Sequence, residues 1–417
     1  MNRGNIDEKN SLKVYWNSDF VGVLSKDDLG GVCFEYADGV KYPISLSLPL
    51  RKEVYANKAC SGFFNGLLPE GENVRIAIGK KYGINPKNDF SILKAVGYDC
   101  AGALAFFEDE QNNLKEYHEI QGKILSDDEL EKYILELPKK PLALGSDMRL
   151  SLAGAQDKTA VIIVDGKIAL PEKDVPTTHI LKPAIADFKE TIENEFICLK
   201  SAEKLGIKVP KIQIGQANST KYFLIERYDR KIENGKLKRI HQEDFCQAYN
   251  IPSAYKYQAE GGVNFKQCFE LLRKTSRPAV SIKQFIELIT FNFLIGNNDA
   301  HGKNFSILHH DDGLMEFAPA YDILSSRVYP ELSKKMAMKI GGYYEPDKIL
   351  PRHFERFADD VGISYTQLKK IIINQCNVLP DIVKEVISGV ENTIGEEILQ
   401  LVVKNCTRNL EKLKSKS

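Results

Sequence analysis

Gly296-Asn297-Asn298-Asp299-Ala300-His301-Gly302-Lys303-Asn304-Phe305-Ser306 is the stretch on which the reading of this chain turns. An Asp is followed five positions on by an Asn inside a short polar loop, which follows the apolar run Phe285 to Ile295. A β-like segment at 305–308 leaves the loop, and a turn at Asp311-Asp312-Gly313 comes next. The segment 317–324 then carries a further acid, Asp322, eighteen residues beyond Asn304. A carboxylate that orients a hydroxyl proton, an amide oxygen and a second carboxylate form the donor set that phosphoryl transfer requires around a hard cation. On this reading Asp299 handles the proton, Asn304 and Asp322 hold Mg²⁺, and Lys303 neutralises the transferring group. A lone Asp-x4-Asn recurs by chance and would serve equally as a structural turn. The buried helix before it and the strand and acid after it favour the chemical role. His301 either packs under the loop or touches phosphate, packing being the commoner fate of such a residue. His309-His310 reads as a surface turn with no role.

Phosphoryl transfer also needs a flexible turn over the phosphates, a Lys on a strand, and an acid to fix that Lys. Ser151-Leu152-Ala153-Gly154-Ala155-Gln156-Asp157-Lys158 is the candidate turn. Its small residues let backbone N–H groups approach phosphate oxygens, and Lys158 adds charge. It is no Walker A motif, since GxxxxGK[ST] is absent, and an ordinary hairpin turn has the same composition. Lys182 closes the apolar segment Thr178-His179-Ile180-Leu181-Lys182-Pro183. A solvated strand end is the plain reading of such a Lys, but an acid-bearing helix follows. On it Glu195, with Glu193 as the alternative, would pair with Lys182; both acids would also suit the first turn of a helix for its macrodipole. Phe223-Leu224-Ile225-Glu226-Arg227-Tyr228-Asp229-Arg230 is an apolar strand running into a charged turn. It reads either as the connection between two lobes, offering groups to adenine, or as a simple edge strand.

Around these motifs the chain organises in three parts. Residues 12–24, 31–36 and 43–48 read as short strands. Helices are expected after Pro69 to Tyr82 and near 90–96, with a strand at 101–107. Ser126-Asp127-Asp128-Glu129 is a capping-box-like start for a helix to about Leu137, and Pro138-Lys139-Lys140-Pro141 stops it. Strands are expected at 158–164, 167–170, 178–182, 212–216 and 221–227, interrupted by a helix at 191–205 that Gly206 ends. From 243 onward the pattern is helical, at 243–249, 265–274, 281–294, 364–374, 381–390 and 394–414. The expected fold is therefore α+β: a two-lobed, protein-kinase-like arrangement with a β-rich N-lobe (141–235) and a helical C-lobe (236–417), preceded by an N-terminal α+β subdomain (1–140).

The chain has 417 residues, 57 Lys+Arg against 57 Asp+Glu, and 43% hydrophobic content. That length suits two or three domains at roughly 150 residues each. Zero net charge argues against a whole-surface nucleic-acid binder, and the basic tail from Lys404 to Lys416 reads as a solvated helix end. The eight cysteines stand singly with no CxxC, so they read as small core residues in a reducing cytosol. Residues 1–10 form no signal peptide, and no uninterrupted apolar run reaches the ~18 residues of a membrane span. A cytoplasmic protein with no membrane partner is expected.

Taken together, these residues resemble the HipA-like serine/threonine kinases, toxins of bacterial type II toxin–antitoxin modules. The resemblance rests on Arg149-Leu-Ser-Leu-Ala-Gly-Ala-Gln-Asp-Lys-Thr-Ala160, His179-Ile-Leu-Lys-Pro183, Asn194-Glu195 with Cys198, Ile225-Glu-Arg-Tyr-Asp-Arg230, Asn298-Asp-Ala-His-Gly-Lys-Asn-Phe-Ser306 and Tyr321-Asp-Ile-Leu-Ser325, in this order. Phe63-Phe64-Asn65-Gly66-Leu67-Leu68-Pro69 resembles the family's N-terminal subdomain. The resemblance implies that Ala153, Gly154, Ala155, Gln156, Asp157 and Lys158 touch ATP phosphates, and that Lys182 binds ATP. It implies that Glu226, Arg227 and Tyr228 lie at the nucleotide, with Glu226 and Tyr228 holding adenine. It makes Asp299 the catalytic acid/base, with His301, Lys303, Asn304 and Tyr321 beside ATP and Asp322 on Mg²⁺. Ser151 matches the family's self-phosphorylated Ser, whose modification silences the enzyme; a phosphate there brings roughly −1.5 to −2 charge to where ATP phosphates sit. As a plain turn residue Ser151 would need no such role. The family's substrates are aminoacyl-tRNA synthetases, and its usual partner is a small helix-turn-helix antitoxin (HipB-like) through which operator DNA is bound. Asn298, Ala300 and Ala184 depart from the residue types common in the family, which bears on substrate more than on activity. A small-molecule kinase on the same scaffold and a catalytically inactive binding module are the rival readings. Phosphate on a metabolite would favour the first, and ATP binding without turnover the second.

Overall fold

The computed structural model describes residues 10–111, 114–115, 118–137, 158–172 and 175–414. Its chain divides into two compact units. One comprises Met1–Pro183, Gly215–Ala254 and Leu308–Gly313; the other comprises Ala184–Ile214, Tyr255–Ile307 and Leu314–Ser417.

In the first unit an antiparallel sheet runs in the order Val32–Tyr36, Asp19–Lys26, Ser11–Trp16, Leu104–Phe107. Alternation along Ser11–Trp16 sends Leu12, Val14 and Trp16 to one face. There they meet Phe63, Phe64, Ile92, Leu93 and Phe106, buried with helices Asn57–Gly66 and Asp89–Val96. The expected strand at 43–48 does not form. Its backbone wraps instead around the Tyr36 hydroxyl, which accepts from Ile44 N–H and donates to Leu48 C=O. Prolines at 43 and 49 bracket it and supply no ladder donors.

A second set of strands in this unit runs Thr220–Glu226, His179–Pro183, Thr159–Val164, Lys167–Pro171, Gly122–Ile124. Helix Asp127–Glu136 starts with the expected capping box on Ser126 and Glu129. It packs Leu130 and Ile134 on Val161, Leu181 and Leu224. Residues 243–249, expected as helix, are instead the end of strand His241–Asp244 and a single tight turn, Gln247–Tyr249. The Gln247 side chain decides this. It accepts from Asp244 N–H and donates to Phe63 C=O, fixing the turn by a contact 184 residues away in the chain. A hairpin Arg230–Glu233/Lys236–Arg239 had no sequence counterpart above.

The second unit is helical: Thr191–Lys204, Phe265–Leu272, Pro278–Ile295, Pro351–Val361, Tyr365–Ser388 and Ile394–Lys414. Thr191–Lys204 stops where Gly206 takes φ +89°, as the sequence suggests. Where two helices were expected at 364–374 and 381–390, one runs unbroken through Pro380. Pro351–Val361 was not expected. Pro278–Ile295 is long and apolar enough on average to cross a membrane, but 61% of that window is buried inside the protein, as for a core helix. All eight cysteines are described and none forms a disulfide; seven are buried and Cys33 is half-buried.

Candidate active site

Helix Pro278–Ile295 ends because Gly296 adopts φ +85°, a left-handed C-cap at which a Cβ would stand 2.6 Å from Leu401. The polar loop therefore starts at a fixed point. Asn297 donates its backbone N–H to Asn292 C=O, and its side-chain oxygen accepts the Asp299 N–H at 3.0 Å. Phe305 closes the loop by packing edge-on to Phe285 at 5.0 Å, within a cluster that also holds Phe269 and Phe317. An aromatic anchor at one end and a glycine cap at the other leave the polar residues between them little freedom.

Within this frame the Asp299 side chain is 55% exposed and accepts the Tyr257 hydroxyl on Oδ1 at 2.7 Å. His301 is buried beneath the loop, its Nε2 4.0 Å from Asp299 Oδ2 and its ring edge-on to Tyr257. Asn304 is buried, and its Nδ2 donates to the Asp322 carbonyl at 3.3 Å. That contact brings the two expected cation ligands side by side. Asp322 itself sits at φ +58°, a left-handed backbone that Asp tolerates better than most residues. Strain of this kind collects at functional positions. Tyr321 donates its hydroxyl to Lys303 C=O at 2.7 Å and bonds Ser306 Oγ, tying the two segments again. Lys303 is buried.

The segment after Asp322 is fastened from two sides. Ser325 N–H donates to the Asn194 side-chain oxygen at 2.8 Å, and Asn194 Nδ2 donates to Ser325 C=O and the Tyr329 hydroxyl. Ser325 Oγ donates to Ile295 C=O, and Ser326 Oγ accepts Asn298 N–H. Helix Thr191–Lys204 and the start of the polar loop thereby hold one segment. Nothing in the spacing of the sequence marked Asn194 as that joint.

No described group of three or more His, Cys, Asp or Glu side chains could hold a metal. Oxygen donors from Asn304 and Asp322 alone suit a cation that keeps water and phosphate in its remaining positions, as Mg²⁺ does.

The other expected residues lie in the first unit. Lys182 is buried on strand His179–Pro183, opposite Phe223 in register. Glu195, its expected partner, is buried on helix Thr191–Lys204 and belongs to the second unit. Lys158 directly precedes strand Thr159–Val164. Ser151 and Ala153 to Asp157 lie outside the described residues, as do Pro138 to Pro141. Glu226 ends its strand opposite His179, and the Tyr228 hydroxyl donates to Gln242 Oε1. Arg227, expected beside the nucleotide, turns its guanidinium inward. Nε and Nη2 donate to Asp229, and the two Nη groups reach Thr177, Asp99 and Cys100 C=O. Arg230 completes the cluster with Asp99 at 2.6 Å. This buried set fixes the backbone that presents Glu226 and Tyr228. His309, expected at a surface turn, is buried against Glu243 at 2.9 Å and lies beside His241, whose ring packs tilted against Trp16 at 4.4 Å.

The model of the HipA-like C-terminal domain matches residues 150–383, and that of the HipA N-terminal domain matches residues 12–107. Y4mE of Sinorhizobium fredii, a kinase by name alone, is 40% identical over 373 residues, covering 87% of this chain and 88% of that protein. The serine/threonine-protein kinase toxin HipA of Shewanella oneidensis is 29% identical over 360 residues, covering 83% and 81%. The solved structure of Shewanella oneidensis MR-1 HipA, with HipB and its operator DNA, matches with a TM-score of 0.84 at 26% identity, over 97% of this chain and 98% of that one. The fold is accordingly the mixed α+β, two-lobed kinase-like fold. The chain belongs to the HipA-like family of serine/threonine kinase toxins.

Proposed function

We propose that the chain is an ATP- and Mg²⁺-dependent serine/threonine protein kinase that acts as a toxin in the cytoplasm. The observation that carries this reading is the placement of Asp299 and Asn304 in one short loop, with Asn304 Nδ2 donating to the Asp322 carbonyl and the segment after Asp322 fastened by Asn194 through Ser325. Mg²⁺, held by Asn304 and Asp322, would neutralise charge on the ATP phosphates. Asp299 accepts the proton of the acceptor hydroxyl as its oxygen bonds to the γ-phosphorus. The bond from that phosphorus to the β–γ bridging oxygen breaks, and ADP leaves with the electron pair. Lys182 and Lys158 hold phosphate oxygens, with the backbone of Ala153, Gly154, Ala155, Gln156 and Asp157. Glu226 and Tyr228 hold adenine. In this reading the acceptor is an aminoacyl-tRNA synthetase, and Ser151 is a second acceptor whose phosphorylation silences the enzyme. A small helix-turn-helix antitoxin restrains it and carries the complex to operator DNA; the presence of HipB and operator DNA with the Shewanella HipA supports that pairing.

The test is intact-mass and peptide mass spectrometry of dephosphorylated protein incubated with Mg-ATP, beside Asp299→Ala. One added phosphate on Ser151 in the wild type alone is the expected result. Phosphate in Asp299→Ala at the wild-type rate would remove the catalytic assignment. No phosphate on protein, together with ATP turnover onto small molecules, would replace the protein kinase with a metabolite kinase. Incubation with purified aminoacyl-tRNA synthetases then asks which, if any, gains phosphate.

A further inference from the structure

Tyr257 lies 42 residues before Asp299 and outside every motif described above, yet its hydroxyl donates to Asp299 Oδ1 at 2.7 Å. An aspartate whose side chain is more than half exposed would ordinarily sample several rotamers. A phenol aimed at one carboxylate oxygen removes that freedom, and a hydrogen bond to an ionised acceptor is of the stronger kind. The phenol can do this only if it is itself held, and it is. Tyr257 C=O accepts the N–H groups of Glu260 and Gly262, closing a tight turn. A Cβ at Gly262 would stand 2.5 Å from Tyr255 C=O, so that turn admits no bulk. Gln258 N–H donates to Ala337 C=O, and Gln258 Oε1 accepts Lys339 N–H at 2.8 Å. Ala337 N–H donates to Asn298 C=O at 2.8 Å, one residue before Asp299. The path from Tyr257 through Gln258, Ala337 and Asn298 returns to Asp299. Three hydrogen bonds and the chain between them thus close a loop that includes the Asp299 carboxylate. The Tyr257 ring also stands edge-on to His301, 5.3 Å between centroids.

We propose that Tyr257 is a positioning residue for phosphoryl transfer, holding the Asp299 carboxylate in the orientation from which it meets the acceptor hydroxyl. This rests on Asp299 being the proton acceptor. Asp299 then reaches the transition state already oriented, and the benefit appears in turnover and not in nucleotide binding. A phenol that merely packed would contribute through its ring alone. A phenol seated where the acceptor hydroxyl goes would compete with it.

The experiment uses the dephosphorylated full chain and Mg-ATP, with the Asp299→Ala chain as phosphate acceptor in trans. Wild type, Tyr257→Phe and Tyr257→Leu are compared for turnover, for KM of ATP and of the acceptor chain, and for melting temperature. The expected result for Tyr257→Phe is a roughly tenfold fall in turnover, with both KM values within about twofold of wild type and the melting temperature unchanged. Tyr257→Leu should show the same loss of turnover and a lower melting temperature. Wild-type turnover in Tyr257→Phe with a loss only in Tyr257→Leu would reduce Tyr257 to packing and overturn the proposal. A lower acceptor KM with unchanged or faster turnover in Tyr257→Phe would place the phenol in the acceptor's seat and overturn it as well. Failure of the underlying reading is visible separately: Asp299→Ala, used as enzyme, would then transfer phosphate as fast as wild type. A wild type that transfers none to any acceptor would sink both readings.

Discussion

Asp99→Ala puts the interior of the first unit to a quantitative test. Asp99 is buried and accepts four hydrogen bonds: from Arg230 at 2.6 Å, from Thr177 N–H and Oγ1 at 3.0 and 2.6 Å, and from Arg227 at 3.4 Å. Burial alone would raise its pKa, but the guanidiniums of Arg227, Arg230 and Arg239 and the Thr177 hydroxyl hold it well below the usual carboxylate range. Removing the carboxylate leaves the buried Arg227 and Arg230 sharing the single carboxylate of Asp229, and takes from Arg239 the negative charge near it. Breaking a buried ion pair by deleting one partner costs about 3–5 kcal/mol, because the remaining charge stays desolvated and uncompensated. With a urea slope of roughly 2–3 kcal/mol/M, the midpoint should fall by about 1–2.5 M. The assay is unusually local. Trp16 is the sole tryptophan, buried in this unit, so its emission during urea unfolding reports the first unit by itself. Asp99→Asn, which keeps the shape and a carbonyl acceptor, should lose less. Adding Arg230→Met to Asp99→Ala should recover part of the loss, since the stranded cation is then gone. A midpoint shift under about 0.3 M in Asp99→Ala, or no recovery in the double variant, would refute the argument that uncompensated charge dominates.

Three further outcomes follow from the same structure. Burial, with His309 beside it, holds His241 down to about 4, and burial with Arg239 nearby holds His118 down to about 4. Both are below the unfolded value of roughly 6.5, so the unfolded chain binds these protons first; the stability they contribute is complete above that pH and is lost as pH falls toward 4. The fully buried His241 accounts for about 3 kcal/mol of that slope, and urea midpoints of His241→Gln should vary less between pH 6.5 and 4 than those of wild type. Gly62→Ala should destabilise the first unit by at least about 2 kcal/mol, because a Cβ there would stand 2.1 Å from Asn250 C=O and helix Asn57–Gly66 would have to move; a loss below 0.5 kcal/mol by Trp16 emission would show that it yields freely. Asp322→Asn should leave the melting temperature within about 2 °C, since Asn tolerates φ +58°, while raising the Mg²⁺ needed for half-maximal transfer at least about tenfold; an unchanged Mg²⁺ requirement would take Asp322 out of the metal site.

The elements legible in the sequence are those whose causes are local. The Ser126 capping box, the stop at Gly206 and the turn at Asp311-Asp312-Gly313 are decided within a few residues, and the structure places each as expected. Helix Pro351–Val361, absent from the expected elements, has a local signature too. Phe354, Phe357, Ala358 and Val361 recur at helical spacing and are all buried, but charged residues between them masked the stripe. The misassigned segments have non-local causes. At 243–249 composition favours a helix, and a side-chain bond from Gln247 to Phe63 C=O overrides it. At Pro380 a local helix breaker is carried through by the helices packed on either side of its own.

The same distinction separates the two layers of the candidate site. Asp299, Asn304 and Asp322 could be named because chemistry confines them to one short loop and the next. Their supports could not: Tyr257, Asn194 and Ala337 reach the site from 42, 131 and 39 residues away along the chain. Each acts through a single polar group of common type, so neither periodicity nor composition singles it out. Hydrogen bonds of this sort are fixed by where the backbone already is, and they reveal themselves only once the fold has brought the segments together. A homologue could keep every motif residue and lose turnover through Tyr257 alone. Substitution at that position is therefore a sharper measure of whether the site is built for catalysis than the motif residues themselves, whose chemical type would be retained in a scaffold that had only lately fallen silent.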